Sequence, residues 1–286
     1  MNRTKIEWVK NPDGSQGYTW NPITGCLNGC PYCYARKLAN GRLRERYLAN
    51  SNVADISNRL RDPNSSLWDK VITDPFYPRL WPERLKEPVN KIRRWGRQSQ
   101  VLHTQEPKGI FVCDMSDLFG IGIPEEWTKR VLDRFQYCPQ HRFYLLTKQP
   151  QNLIKFSPFP ENCWVGVTVT SFEYLGRALY IGLSRIEAKI KFISFEPLLG
   201  ESQLKAVDLI DCGINWLIIG AQTKPYKPPQ IEWVEEIVEA ADRAGIPVFL
   251  KNNLWRGLVP KHGIPPVWAR GRNGQDADCL RQELPK

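Results

Sequence analysis

The stretch Tyr18-Thr19-Trp20-Asn21-Pro22-Ile23-Thr24-Gly25-Cys26-Leu27-Asn28-Gly29-Cys30-Pro31-Tyr32-Cys33-Tyr34-Ala35 sets an apolar, β-branched run against a loop rich in glycine and cysteine. Residues 18–24 read as a strand, closed by the turn signal at Gly25. Cys26, Cys30 and Cys33 then fall within eight residues, in the spacing C-x3-C-x2-C. Three thiolates this close on one loop can converge on three corners of a cubane iron–sulfur cluster, and Gly25, Gly29 and Pro31 suit the tight backbone path required. An electron-transfer cluster normally has four cysteine ligands. Three leave one iron open to bind something else, the same logic that separates catalytic from structural zinc sites.

Working outward, further strands are expected at 109–113, 142–147, 163–169, 191–195, 215–220 and 247–251. Most are continuous apolar runs, as in parallel strands covered on both faces. Helical stripes lie between them. Pro124 opens one carrying Trp127, Val131, Leu132 and Phe135, with proline at the favoured first position. Ser171 is placed to cap a second, with Leu175, Leu179, Leu183 and Ile186, and a third carries Ile231, Val234, Ile237, Val238 and Ala241 up to Gly245 and Pro247. Alternating β and α units imply a parallel α/β fold. Seven strands fall short of a complete eight-stranded barrel and fit a partial, open TIM-like (βα)6-7 barrel, in a single domain spanning 1–286.

About 75 residues separate Cys33 from Gly109, far more than one crossover helix needs. This reads as an insertion at about 36–105 between the first two strands. Between Arg36 and Arg97 stand fifteen Lys or Arg and seven Asp or Glu, so this segment holds +8 of the net +10. Interleaved with the cations are Tyr47, Trp68, Phe76, Tyr77, Trp81 and Trp95. A concentrated basic excess with aromatics points to a nucleic acid or nucleotide partner. Tryptophan and tyrosine in a folded insertion more often form its own small core.

Of the 286 residues, 42% are hydrophobic and 24% charged, which excludes general disorder. No apolar run approaches the length that crosses a bilayer, and Met1-Asn2-Arg3-Thr4-Lys5-Ile6-Glu7-Trp8 holds no apolar signal core. A cytoplasmic chain with no membrane partner is expected. In that reducing compartment eight cysteines are not a disulfide framework. Cys113, Cys138, Cys163, Cys212 and Cys279 lack metal-ligand spacing, and His103, His141 and His262 read as structural.

The cysteine spacing, its place after the first strand and the aromatic Tyr32 before the last cysteine resemble the radical S-adenosylmethionine superfamily. The chain further resembles an uncharacterised, phage-associated three-cysteine family near that superfamily. The segments that carry this second likeness are Thr4-Lys5-Ile6-Glu7-Trp8, Thr19-Trp20-Asn21-Pro22-Ile23-Thr24-Gly25-Cys26, Trp81-Pro82-Glu83-Arg84-Leu85, Met115-Ser116-Asp117-Leu118-Phe119, Leu146-Thr147-Lys148, Phe195-Glu196-Pro197-Leu198-Leu199-Gly200 and Gly245-Ile246-Pro247. What the resemblance implies is a [4Fe–4S] cluster on Cys26, Cys30 and Cys33, whose open iron binds the methionine end of S-adenosylmethionine. An external one-electron reductant would let the cluster cleave that molecule reductively, and the resulting 5′-deoxyadenosyl radical would abstract hydrogen from a substrate the motif does not name.

Ligands of parallel barrel-like folds sit at the C-terminal ends of strands. Candidates for holding the cofactor are therefore Tyr32 in the loop, and Asp114, Ser116 and Asp117 after the second strand, where superfamily members hold the methionine amino group. This chain lacks the glycines usual there. Thr168 ends the fourth strand. Glu196 ends the fifth, between an apolar run and Pro197, where packing does not explain a carboxylate. Gln222 follows the sixth, at a place where the phage-associated family shows a double glycine and an acid. Lys251 ends the seventh and faces the ligand from the far side. No residue is assigned to the catalytic step. Two other classes remain open: a radical enzyme acting on a peptide or small metabolite, and a non-catalytic, zinc-stabilised nucleic-acid-binding protein.

Overall fold

A computed structural model describes residues 1–54, 71–89, 91–95, 98–102, 106–259, 263–272, 275–276 and 278–285, with backbone only for 91–95 and 98–102. Trp68, His103, His262 and the Trp95 side chain lie outside the described residues. The chain divides into two compact units, Met1–Lys5 with Val9–Thr147 and Ile6–Trp8 with Lys148–Lys286. Among the described residues eight main strands run mostly parallel, so the protein is mixed α/β as expected.

The first unit contains β1 (Asn2–Arg3), β2 (Tyr18–Trp20), β3 (Ile23–Thr24), β4 (Arg79–Leu80), β5 (Lys91–Trp95), β6 (Gln98–Leu102), β7 (Gly109–Val112) and β8 (Arg142–Thr147). Its main strands lie in the order β1-β2-β7-β8. β2 pairs parallel with β7 (Thr19 opposite Phe111), and β7 with β8 (Ile110 opposite Phe143). β1, which the sequence pattern did not suggest, adds antiparallel to β2. All four residues of β7 are buried, as a doubly covered strand requires. Trp20, fully buried, meets Phe135 and Phe143, which stack on each other at 4.0 Å. The expected strand 18–24 is split, because Asn21 and Pro22 turn the chain so that β3 pairs with β4 instead.

Helix Glu125–Leu132 buries Thr128 and Val131, with Phe135 following in a short 3-10 turn; Pro124 stands at its cap rather than its first residue. The inserted segment builds its own core. Tyr47, Phe76, Trp81 and Met115 pack with Ala35 and Ala39 of helix Tyr34–Asn40, and Tyr77 packs with Ala54 and Val71. The described aromatics of the insertion are thus buried and cannot stack on bases.

The second unit contains β9 (Cys163–Thr168), β10 (Ile190–Phe195), β11 (Trp216–Ile219), β12 (Gln222–Thr223), β13 (Tyr226–Lys227) and β14 (Val248–Leu250). β9, β10, β11 and β14 form four parallel neighbours, with Ser194 opposite Thr168 and Ile218 opposite Phe249. Trp216 is the hub of the core, with Trp8, Trp164, Phe192 and Phe249 all within 6.2 Å, centroid to centroid. Its indole N–H donates to the Glu283 carbonyl at 2.9 Å. Helix Ile231–Ala244 buries Val234, Ile237, Val238 and Ala241 and stops at Gly245. The stripe from Leu175 to Ile186 is buried as expected but is not one α-helix. It passes from α (Phe172–Gly176) through π (Arg177–Gly182) to 3-10 (Leu183–Arg185), and Ser171 makes no side-chain cap bond. No helix among the described residues is long and apolar enough to cross a membrane.

The hub position of Trp216 makes a direct prediction. Trp216→Ala should lower the unfolding free energy of the second unit by about 3–5 kcal/mol, the cost of a large cavity. Denaturant titration of wild type and variant would measure it. A loss within about 1 kcal/mol would show that the aromatic cluster does not hold the unit together.

Candidate functional site

The cysteine loop is fixed at both ends. Gly25 opens it with a positive φ of 87°, and a Cβ there would lie 2.3 Å from the Tyr77 carbonyl oxygen, so only glycine fits. The Gly25 N–H donates to the Met115 carbonyl at 2.9 Å, Ser116 Oγ donates back to the Gly25 carbonyl, and the Cys26 N–H donates to the Phe76 carbonyl at 2.9 Å. Gly29 also has positive φ, at the exposed crest. At the far end Cys33 caps helix Tyr34–Asn40, its sulfur accepting the Arg36 N–H at 3.3 Å. Cys26 Sγ accepts the Asn28 N–H at 3.4 Å.

Asp117 ties this loop to the sheet. Its carboxylate accepts from Asn28 Nδ2 at 2.8 Å, from Thr147 Oγ1 at the end of β8 at 2.7 Å, and from the Phe119 N–H at 3.1 Å. Fully engaged and 5% exposed, it is a latch rather than a ligand group. Ser116 has the same kind of task at Gly25.

Asp114 is different. It accepts from Asn21 Nδ2 at 2.5 Å and from Tyr34 Oη at 3.1 Å, and burial raises its carboxyl above the usual range despite those bonds. Tyr34 is 46% exposed, so this pair borders solvent beside the loop. Tyr32 is half-buried between exposed Pro31 and Cys33. Asn21, Asn28, Tyr34 and Arg36 all serve this region without having been singled out from the sequence. Only their adjacency to the cysteines could have flagged them.

Cys26, Cys30 and Cys33 are half-buried thiols, not disulfide partners. The Cys26 thiol is pushed up to about 12, first by burial, then by the charge of Asp117 and by Cys30 and Cys33. The set fits an iron–sulfur cluster in donor chemistry: three thiols, two of whose sulfurs already accept a backbone N–H. Among the described residues no three His, Cys, Asp or Glu side chains form a group that could hold a metal ion. Cys26 and Cys33 sit at the anchored ends, and Cys30 on the arch with exposed Gly29 and Pro31.

The second unit collects its own polar groups at strand ends. Glu196 pairs with Lys251 Nζ and accepts the Trp8 indole N–H at 3.2 Å. The pair is largely shielded, with side chains 25% and 11% exposed. Gly220 makes room for it, since a Cβ there would come within 2.9 Å of Lys251 Cδ and 3.3 Å of Glu196 Cγ. Thr168 stands opposite Ser194, whose buried Oγ finds no hydrogen-bond partner among the described residues. The carboxylate of Glu196 is therefore explained by an ion pair within the unit. Gln222 is turned away from this cluster, its amide donating to the Pro225 carbonyl inside the β12–β13 hairpin, so it is not placed as a ligand contact.

The Asp117 contribution at Cys26 can be measured. Asp117→Asn removes a charge that raises the Cys26 pKa, so alkylation of Cys26 by iodoacetamide at pH 9 should accelerate several-fold. Peptide mapping by mass spectrometry reads the rate at each cysteine. An unchanged Cys26 rate would sever the link between latch and thiol.

No curated protein and no solved structure matches the chain. A family model described as "Protein of unknown function (DUF5131)" matches residues 3–263, and the chain belongs to that family.

Proposed function

We propose that the chain is a radical S-adenosylmethionine enzyme in which Cys26, Cys30 and Cys33 hold a [4Fe–4S] cluster and the parallel strands form a partial, open barrel. The observation that carries this reading is the cysteine loop: C-x3-C-x2-C directly after the first parallel strand, with N–H groups of Asn28 and Arg36 aimed at two sulfurs. Hydrogen bonds to sulfur favour the thiolate, the form that ligates metal. When bound, the cluster and S-adenosylmethionine supply the radical chemistry, using one electron from an external reductant.

The chain's own residues do the positioning. Gly25, Ser116 and Asp117 hold the loop against the ends of β7 and β8. The Arg36 guanidinium donates to the Cys26 carbonyl at 3.2 Å and brings positive charge to a loop that must carry three thiolates. Asp114, with Tyr34 and Asn21 on its oxygens, supplies a carboxylate at the end of β7 for a cationic ligand group. In the second unit Thr168, Glu196 and Lys251 are the strand-end groups available for polar contacts.

Anaerobic reconstitution with iron and sulfide tests the reading. About four iron and four sulfide per chain are expected. So are a brown colour, a cubane signal in electron paramagnetic resonance after reduction, and 5′-deoxyadenosine released from S-adenosylmethionine. Cys30→Ala should lose the cluster while keeping the circular dichroism of the wild type, since Cys30 lies on a loop. A colourless chain holding one zinc, or full cluster content in that variant, would overturn the assignment.

A further inference from the structure

Among the described residues, two groups of cations in the inserted segment differ in what they meet. Arg36, Arg79 and Arg84 are used internally. Arg79 is 1% exposed and donates to the Asn50, Asp74 and Tyr77 carbonyls, Arg36 pairs with Asp74 over the Phe76 ring, and Arg84 Nη1 donates to the Asn21 carbonyl. Lys37, Arg42, Arg44 and Arg46 instead face solvent within ten residues, on helices Tyr34–Asn40 and Arg44–Leu48 and the turn between them. Arg42, Arg44 and Arg46 form no salt bridge among the described residues.

Exposed Glu45 lies between Arg44 and Arg46, and Glu83 and Glu87 act on Arg84, yet cations still crowd one ring. Arg46 and Arg84 both lie over the Trp81 ring, at 5.8 and 3.8 Å from its centroid. Burial and then the charge of Arg46 hold the Arg84 guanidinium below its usual range. Two like charges held on one aromatic are relieved by an anion. The exposed Tyr34 ring stands one helical turn from Lys37 on the same helix face.

The helices carrying these cations pack on the same small core as Cys26 and Cys33. We infer that Lys37, Arg42, Arg44 and Arg46, with Tyr34, form a docking surface for the phosphodiester backbone of a single-stranded nucleic acid beside the cysteine loop. Guanidinium predominance suits phosphate, and an exposed aromatic face suits an unstacked base. A lipid surface is disfavoured. From residue 35 to 46 no large apolar side chain is exposed, whereas membrane-surface helices insert an apolar face. That the bound strand is the substrate rests on the radical-enzyme reading; that it binds does not.

Fluorescence anisotropy with labelled single-stranded DNA and RNA oligonucleotides, across a salt series, tests the surface on the full chain. Wild type should bind with steep salt dependence. Arg42→Ala/Arg44→Ala/Arg46→Ala should weaken binding roughly tenfold or more at low salt and reduce the slope of log affinity against log salt by about 2. Lys205→Ala/Lys224→Ala/Lys227→Ala removes the same charge from the second unit and should change affinity less than about twofold. No binding at low salt, equal losses in the two triple variants, tighter binding to duplex, or tighter binding to anionic lipid vesicles would each overturn the proposal. Cys30→Ala should bind the oligonucleotide like wild type, so a failed cluster and a failed docking surface give different results.

Discussion

A single carboxylate decides where the cysteines stand in their unit. Asp117 receives Asn28 from the cysteine loop, Thr147 from the end of β8 and the N–H of Phe119 from its own turn. Each bond is ordinary in strength, about 1 kcal/mol or somewhat more to a charged acceptor. Their joint effect is geometric: loop, strand end and turn cannot shift separately while one buried charge needs all three. The same charge adds to burial, the larger cause, in working against ionisation of Cys26. Positioning and chemical restraint come from one group.

The second unit solves a related problem by other means. Its core is aromatic around Trp216, and one cluster of polar groups stands at the ends of β9, β10 and β14. Glu196 and Lys251 there are mostly removed from water, which is costly for each charge alone and tolerable for the two together with the Trp8 indole as a further donor. Such a pair is weak evidence for stability, because apolar residues of similar volume would pack as well. Its place at the strand ends depends on Gly220, where a side chain would collide with both partners.

Much of the fold was legible because burial writes itself into sequence. A strand covered on both faces must be apolar throughout, so Gly109–Val112, Trp216–Ile219 and Val248–Leu250 stand out as runs. β1 escaped because Asn2 and Arg3 are exposed and carry no such signal. The break between Trp20 and Ile23 depends on what pairs with Ile23, and that partner, Leu80, is more than fifty residues away. The π segment after Gly176 left no trace either, since Leu175, Leu179 and Leu183 read as an ordinary stripe.

At the site, residue type was readable and engagement was not. Asp114 and Asp117 look alike in sequence, three residues apart, yet one borders solvent with Tyr34 and the other is closed in by three donors. The basic segment shows the same limit more sharply. Its composition counts Arg79 and Arg44 equally, but Arg79 satisfies carbonyls inside the insertion while Arg44 faces water. The described aromatics that suggested base stacking build the platform on which the exposed arginines are displayed: Tyr47 and Trp81 pack together in its core, and the cations line the outside. A charge total therefore overstates what a polyanion could meet. The relevant quantity is the handful of guanidinium groups that folding leaves without a carboxylate, and only packing separates these from the rest.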